Sequence, residues 1–333
     1  MKRWIFPVIA LFLLLSGCSE KEARQQFFAM DTTMSVSAWG KDAQDAVTAA
    51  VIRVNGLDAL LSRTRADSEI ALLNREGECQ VSADTWTALS EAVRWNNLSG
   101  GAFDMTVAPV VQAWGFGAGH YRVPTEDELR ELLALVDSTA ITLVGERAVV
   151  KKKGTMVDLG GIAKGYAAAQ LQKIMEEHGV KSALLDLGGN ITVIGSRPDG
   201  EGWRVAVRDP GNSAGQVGVL TLRDCSAVTS GSYQRNFELD GKVYHHIIDP
   251  FTGYPADCGL TSVTVVCEDP IAGDALSTAL FVLGEEGALE LWQELGFFEF
   301  ILVTENGRLV VTEGLRNSFE VAESTDLTVE WVA

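Results

Sequence analysis

The chain is 333 residues long and acidic, with 45 Asp and Glu against 27 Lys and Arg for a formal net charge of −18. That balance argues against nucleic acid as a partner and against docking on an anionic membrane through a basic patch. A polyanionic ligand would need local help from a metal ion or from backbone N–H groups, and the length suffices for one large core or two lobes.

In chain order, Lys2 and Arg3 precede an apolar run, WIFPVIALFLLL, that closes on LSGCS (residues 15–19). The run is shorter than the roughly 20 residues of a membrane span, which predicts a signal peptide over 1–17. Its end resembles a bacterial lipobox, in which cleavage falls before a cysteine that then receives lipid; here that residue is Cys18. The alternative is a plain signal peptide with an incidental cysteine. The expectation is an exported protein with a lipid-anchored tether over 18–27 and one domain over 28–333, held on a membrane without spanning it. Cys79, Cys225, Cys258 and Cys267 show no C-x-x-C or zinc spacing. Export permits disulfides, and spacing leaves their pairing open.

FFAMDTTMSVSAWG (27–40) alternates like a strand exposed on one side. From Asp42, Val47, Val51, Val54, Leu57 and Leu61 fall on one helix face. A second helix is predicted from about Asp84 to Asn97, stopped by Gly100-Gly101, and a third over PTEDELRELLALV with acids in its first turn. AITLV, AVVKK and TMVDL read as short strands, GIAKGYAAAQLQKIMEEHG as a helix ending at Gly179, and SALLDLGG as another strand. That order suggests a parallel pair joined by a helical crossover. NFELDGKVYHHII predicts a hairpin turning at Asp240-Gly241. LTSVTVVC reads as a strand, PIAGDALSTALFVLG and EEGALELWQELG as two helices, and Asn306-Gly307 as a further hairpin turn. The fold class is α+β, as one unit or a bilobed one.

DLGGIAKGYA (158–167) sets a carboxylate at a strand end, two glycines, then a helix start whose N–H groups and dipole suit phosphate. An ordinary tight strand-to-helix turn has the same pattern. DLGGN (186–190) echoes it without a helix and reads as a turn. AGDALSTAL puts Asp274 and Thr278 four residues apart on one helix face, with Ser277 beside them. One carboxylate plus hydroxyl and carbonyl oxygens suits a hard cation such as Mg²⁺; the plain alternative is an Asp favouring the helix dipole. GNSAG (211–215) matches a nucleophile elbow only by chance, and GFGAG (115–119) reads as a flexible loop. GAFDMTVAPVVQAWGFG could stack a flat ligand or pack as a buried aromatic strand.

The chain holds four histidines, two of them adjacent in VYHHIIDP. They could bind metal, move a proton or decorate a strand. Strand alternation places Tyr244, His246 and Ile248 on one face and His245 and Ile247 on the other, so the two rings serve different surroundings.

Taken together, AMDTTMSV, AFDMTVAPVVQAWGFG, DLGGIAKGYA, LLDLGGN, AVTSGSY, HHIIDPFTGYP and AGDALSTALFVLG resemble the ApbE family of FAD:protein FMN transferases, in the family's order over roughly residues 28–284. The resemblance implies a T-fold-like α+β architecture of mixed sheets with packed helices. It implies an exported enzyme that cleaves FAD at its pyrophosphate with Mg²⁺, transfers FMN to a Thr or Ser hydroxyl of another protein through a phosphoester, and releases AMP. Acceptors in the family include subunits of Nqr/Rnf-type respiratory complexes. Carried over by motif, Met30, Ala102, Phe103, Asp104, Asp158, Lys164 and Ile248 would contact FAD. The metal would take Gly161 through its carbonyl, Asp274, Thr278 and Ser277, and His246 would be the base, leaving His245 to solvent or packing. Asp31, Thr64, Met105 and Ala169 depart from the family's usual residues. The rival activities are an FAD pyrophosphatase with water as nucleophile and a non-catalytic flavin-binding lipoprotein.

Overall fold

The computed structural model of the chain describes residues 21–117, 119–150 and 152–333, so the predicted signal peptide and Cys18 lie outside the described residues. In order, the elements are β1 (Glu22–Ala29), β2 (Thr32–Trp39), α1 (Ala43–Leu61), α2 (Glu69–Glu76), β3 (Glu78–Gln80), α3 (Ala83–Leu98), α4 (Ala108–Ala113) and α5 (Glu126–Leu133). Then come β4 (Ile141–Val144), β5 (Arg147–Val150), α6 (Ala163–Glu177), β6 (Ser182–Asp186), β7 (Asn190–Gly195), β8 (Trp203–Asp209), β9 (Asn212–Leu222) and β10 (Ser226–Gly231). The chain continues through β11 (Asn236–Leu239), β12 (Lys242–His245), β13 (Leu260–Cys267), α7 (Pro270–Leu295), β14 (Glu299–Thr304), β15 (Arg308–Thr312), β16 (Phe319–Val321) and β17 (Thr328–Val332).

A nine-stranded sheet in the order β1-β2-β6-β7-β10-β13-β14-β15-β17 organises the molecule, every pair antiparallel except β15 with β17. Both of its faces are buried, which side-chain alternation makes possible. In β14, Phe300 and Leu302 join the core under the helices, while Ile301 and Val303 join a second core. The first core is covered by α1, α6 and α7, and the second by the small sheet β16-β9-β8 through Trp203, Val217, Leu220 and Phe319. The result is a three-layer α+β arrangement. Among the described residues, no helix is long and apolar enough to cross a membrane, and the four cysteines they include are free thiols.

Three sequence expectations change. The stretch read as one strand from Phe27 is the hairpin β1–β2, which begins at Glu22, within the predicted tether. Its two-residue turn is Met30-Asp31, at φ 48° and 59°. Alternation runs straight through such a turn, so period alone cannot reveal it. Left-handed backbone is unfavourable for Met, and the Met30 N–H is held by the Asp58 carboxylate at 3.0 Å.

TMVDL is not a strand. Its Val157 exchanges two hydrogen bonds with the Asn74 side chain of α2, 2.7 and 2.8 Å, in place of a strand neighbour. The predicted parallel crossover therefore does not form, and β6 lies antiparallel between β2 and β7. The third change is the presence of α2 and α4, which are too short to show a clear helical period in the sequence. The two helices expected after β13 do occur, as the halves of α7 on either side of Gly284, whose φ of 72° breaks the helical backbone. Both hairpins expected at Asp240-Gly241 and Asn306-Gly307 are present.

Candidate active site

One cleft of about 890 Å³ gathers the motifs that the sequence scatters. It is bordered by the β1–β2 turn, the loop after α3, the turn into α6, the first turns of α7 and the segment after β12. Met30, Ala102, Phe103, Asp104, Asp158, Gly161, Lys164, His246, Ile248, Asp274 and Thr278 all border it. Ser277 does not: its hydroxyl meets Ser230 at 2.8 Å and donates to the Asp274 carbonyl at 2.9 Å. Ser277 therefore lies one step behind the lining, against Ser230, which does border the cleft.

The glycine block brings α6 against α7. Gly165 lies at the contact, where an added Cβ would come within 2.3 Å of the Pro270 carbonyl. This closeness lets the Gly165 N–H donate to Asp274 Oδ2 at 2.8 Å, while Lys164 Nζ reaches Asp274 Oδ1 at 3.3 Å and the Gly160 carbonyl at 3.2 Å. Asp274 is 3% exposed, so its charge needs these partners. The start of α6 is less open to phosphate than the motif implies. Gly160 N–H is held by Asp158 Oδ1 at 2.8 Å, and the Ile162 and Ala163 N–H groups both turn to the Leu159 carbonyl. Lys164, more than bare helix N–H groups, supplies the positive charge there.

The donors that border the cleft fit one hard cation. Asp274 offers a carboxylate, and Gly161 faces Thr278 closely enough that an added Cβ would lie 3.5 Å from its Oγ1. The ammonium of Lys164 already marks Asp274 Oδ1 as a position that accepts positive charge. Among the described residues, no group of three or more His, Cys, Asp and Glu could hold a metal. A single-carboxylate set with hydroxyl and carbonyl oxygens suits Mg²⁺, which keeps waters and phosphate oxygens as its other ligands.

The histidines divide as alternation predicts, although β12 ends at His245. Ile248 and Tyr244 join an aromatic cluster around Trp114, and the His246 ring stands edge-on to Phe116. Ile247 joins the main core, and His245 is buried there, edge-on to Phe281 at 5.4 Å with Nε2–H donating to the Ala256 carbonyl. His245 is therefore a packing residue. His246 Nδ1 lies 3.2 Å from the Arg235 carbonyl. A carbonyl only accepts, so the proton sits on Nδ1 and Nε2 keeps its lone pair. Burial and then the Arg235 charge push the His246 pKa down to about 4, so the ring is neutral at physiological pH.

Asp104 is largely spoken for. Its carboxylate accepts from the Thr106 N–H and hydroxyl, the Ser138 hydroxyl and the Asn96 amide, which ties the 102–106 turn to neighbouring elements. Asp158 pairs with Arg63 at 2.9 Å. Arg63, Arg208 and Arg235 also border the cleft; none belongs to a quoted motif, and a single arginine carries no local sequence signal of its role.

The ApbE family pattern matches residues 30–302. A curated FAD:protein FMN transferase of Treponema pallidum is 35% identical over 286 residues, covering 80% of this chain and 79% of its own. Another, of Haemophilus influenzae, is 33% identical over 332 residues, covering 92% and 95%. Among solved structures, the ApbE protein of Thermotoga maritima superposes with a TM-score of 0.83 at 29% identity, covering 89% of this chain and 98% of its own. The flavin transferase ApbE of Vibrio cholerae gives 0.77 at 27%, covering 91% and 97%.

Proposed function

We propose that this chain, which belongs to the ApbE family and is an FAD:protein FMN transferase, moves FMN onto a Thr or Ser hydroxyl of its acceptor in a Mg²⁺-dependent reaction that releases AMP. The acceptor oxygen attacks the phosphorus of the FMN half. The new O–P bond forms as the bond from that phosphorus to the bridging oxygen breaks, and AMP leaves with the bridging oxygen. The hydroxyl proton passes to Nε2 of His246, whose Nδ1–H is already committed to the Arg235 carbonyl. Lys164 offsets phosphate charge from the α6 side, and Asp274, Thr278 and the Gly161 carbonyl would hold Mg²⁺. That ion would neutralise charge on the reacting phosphates and orient them.

The observation that supports this reading most directly is the shared cleft. A neutral histidine with a fixed tautomer borders the same space as a hard-oxygen donor set and a lysine. The proposal extends to location: a lipid on Cys18, outside the cytoplasm, would bring the cleft to membrane-bound acceptors such as subunits of Nqr/Rnf-type complexes. Mixing the protein with FAD, Mg²⁺ and an acceptor domain, then weighing the acceptor and measuring AMP, tests the activity. A mass gain of one FMN with stoichiometric AMP is the expected result. AMP without a modified acceptor would identify a pyrophosphatase, and intact bound FAD a carrier.

A further inference from the structure

FAD carries two flat aromatic rings, and a cleft that binds it gains most by offering them flat apolar surfaces. Of the aromatic side chains bordering the cleft, Phe103 and Phe116 are buried, and Tyr233 lies across Gly231. Tyr121 differs, being 49% exposed. One face of its ring stacks on Phe237, with centroids 4.8 Å apart and planes at 11°. Phe237 stacks in turn on Tyr244 at 5.3 Å and 23°, and Tyr244 leans on Trp114 at 5.2 Å. Trp114 is fully buried and its indole N–H donates to the Gly253 carbonyl at 2.8 Å. Four rings thus form a ladder rooted in the interior, and Tyr121 is its exposed end.

The loop that presents Tyr121 is built to do so. Gly115 has φ 86°, and an added Cβ there would lie 2.1 Å from the His120 carbonyl, so His120 packs directly against Gly115. The Arg122 N–H donates to the Trp114 carbonyl, which anchors the far side of Tyr121 to the same helix end. The Phe116 ring meets Tyr121 edge-on at 5.5 Å, and the lining of the cleft combines apolar residues such as Val107, Val111, Ile248 and Pro250 with the charged Lys164 and Asp274. A ring fixed in place before the ligand arrives loses little freedom on binding.

We propose that Tyr121 is a substrate-binding residue that stacks a planar ring of FAD where it borders the cleft. The proposal rests on the FAD reading above. In the full chain, FAD affinity is measured by flavin fluorescence quenching and KM for FAD by acceptor modification. Tyr121→Phe and Tyr121→Trp keep affinity near wild type. Tyr121→Leu, which retains apolar bulk without a flat face, weakens FAD binding roughly 5- to 100-fold, with kcat at saturating FAD little changed. Riboflavin and AMP, titrated separately, distinguish the rings: a loss confined to riboflavin identifies the flavin, and one confined to AMP identifies the adenine. Tyr121→Leu with wild-type affinity overturns the stacking role, as does an equal loss for both competitors, which would mean a collapsed cleft. A wild-type protein that binds no FAD would instead overturn the transferase reading, so the two failures are distinct.

Discussion

Substituting Gly165 with Ala tests how tightly the fold sets the candidate metal site. A Cβ there would stand 2.3 Å from the Pro270 carbonyl oxygen, 2.9 Å from Ile271 Cα and 2.8 Å from Asp274 Cβ. The first two neighbours are backbone, so no change of rotamer relieves the clash. The helices must part by roughly 1 Å to restore ordinary van der Waals contact. Overpacking of this kind costs about 1–3 kcal/mol, and the helical preference for Ala over Gly offsets at most about 1 kcal/mol. Tm should therefore fall by a few degrees.

The larger effect is expected on turnover. Asp274 takes the Gly165 N–H on one carboxylate oxygen and Lys164 on the other, so separating the helices moves the carboxylate off its mark. A displacement of about 1 Å can cost on the order of 10²-fold in rate. Scanning fluorimetry and a Mg²⁺ titration of FMN transfer measure both effects. The control is Gly56→Ala on the exposed side of α1, where nothing lies within 4 Å of the added methyl. It should stabilise by about 0.4–1 kcal/mol and leave transfer unchanged. Unaltered Tm and Mg²⁺ dependence in Gly165→Ala would refute the close-contact reasoning.

The histidines should separate in kind. His246→Ala lowers transfer by about 10²–10⁴-fold while FAD still binds, and His245→Ala leaves transfer intact but costs about 1–3 kcal/mol through a lost buried hydrogen bond and ring contact; equal loss of turnover in both would sink the division. Because His246 is held down to about 4, its neutral form survives well below the ordinary histidine range, and the acid limb of kcat/KM should fall near pH 4. An acid limb at pH 6–7 would contradict that. The same depression makes a contribution to stability that is present above the unfolded pKa of about 6.5 and lost as pH falls toward 4, so Tm of wild type should drop more steeply across that window than Tm of His246→Gln. Asp274→Asn keeps the shape but removes the charge, and should raise the Mg²⁺ concentration for half-maximal transfer steeply; an unchanged requirement removes Asp274 from the ligands.

The motif words were legible because each carries a local constraint. Asp240-Gly241 and Asn306-Gly307 announce hairpins by the backbone they tolerate, and the spacing of Asp274 and Thr278 places both on one helix face whatever the rest of the chain does. Alternation alone separated His245 from His246, and their surroundings agree. Illegible features were those decided at a distance. TMVDL has strand composition, yet Asn74 on a separate helix takes both backbone groups of Val157. Ser277 neighbours a proposed ligand in sequence, but its contact with Ser230 on β10, 47 positions away, exists only in the folded chain.

By itself, then, the sequence determined the acidic α+β character, the family membership and the separate surroundings of its two adjacent histidines. Tertiary structure decided which motif residues meet, through the close approach that Gly165 permits between α6 and α7 and the aromatic ladder that sets Tyr121 at the cleft. The physical reason is range. Backbone conformation and side-chain period are properties of a few consecutive residues, whereas contact between Lys164 and Asp274, 110 positions apart, exists only once the helices have packed.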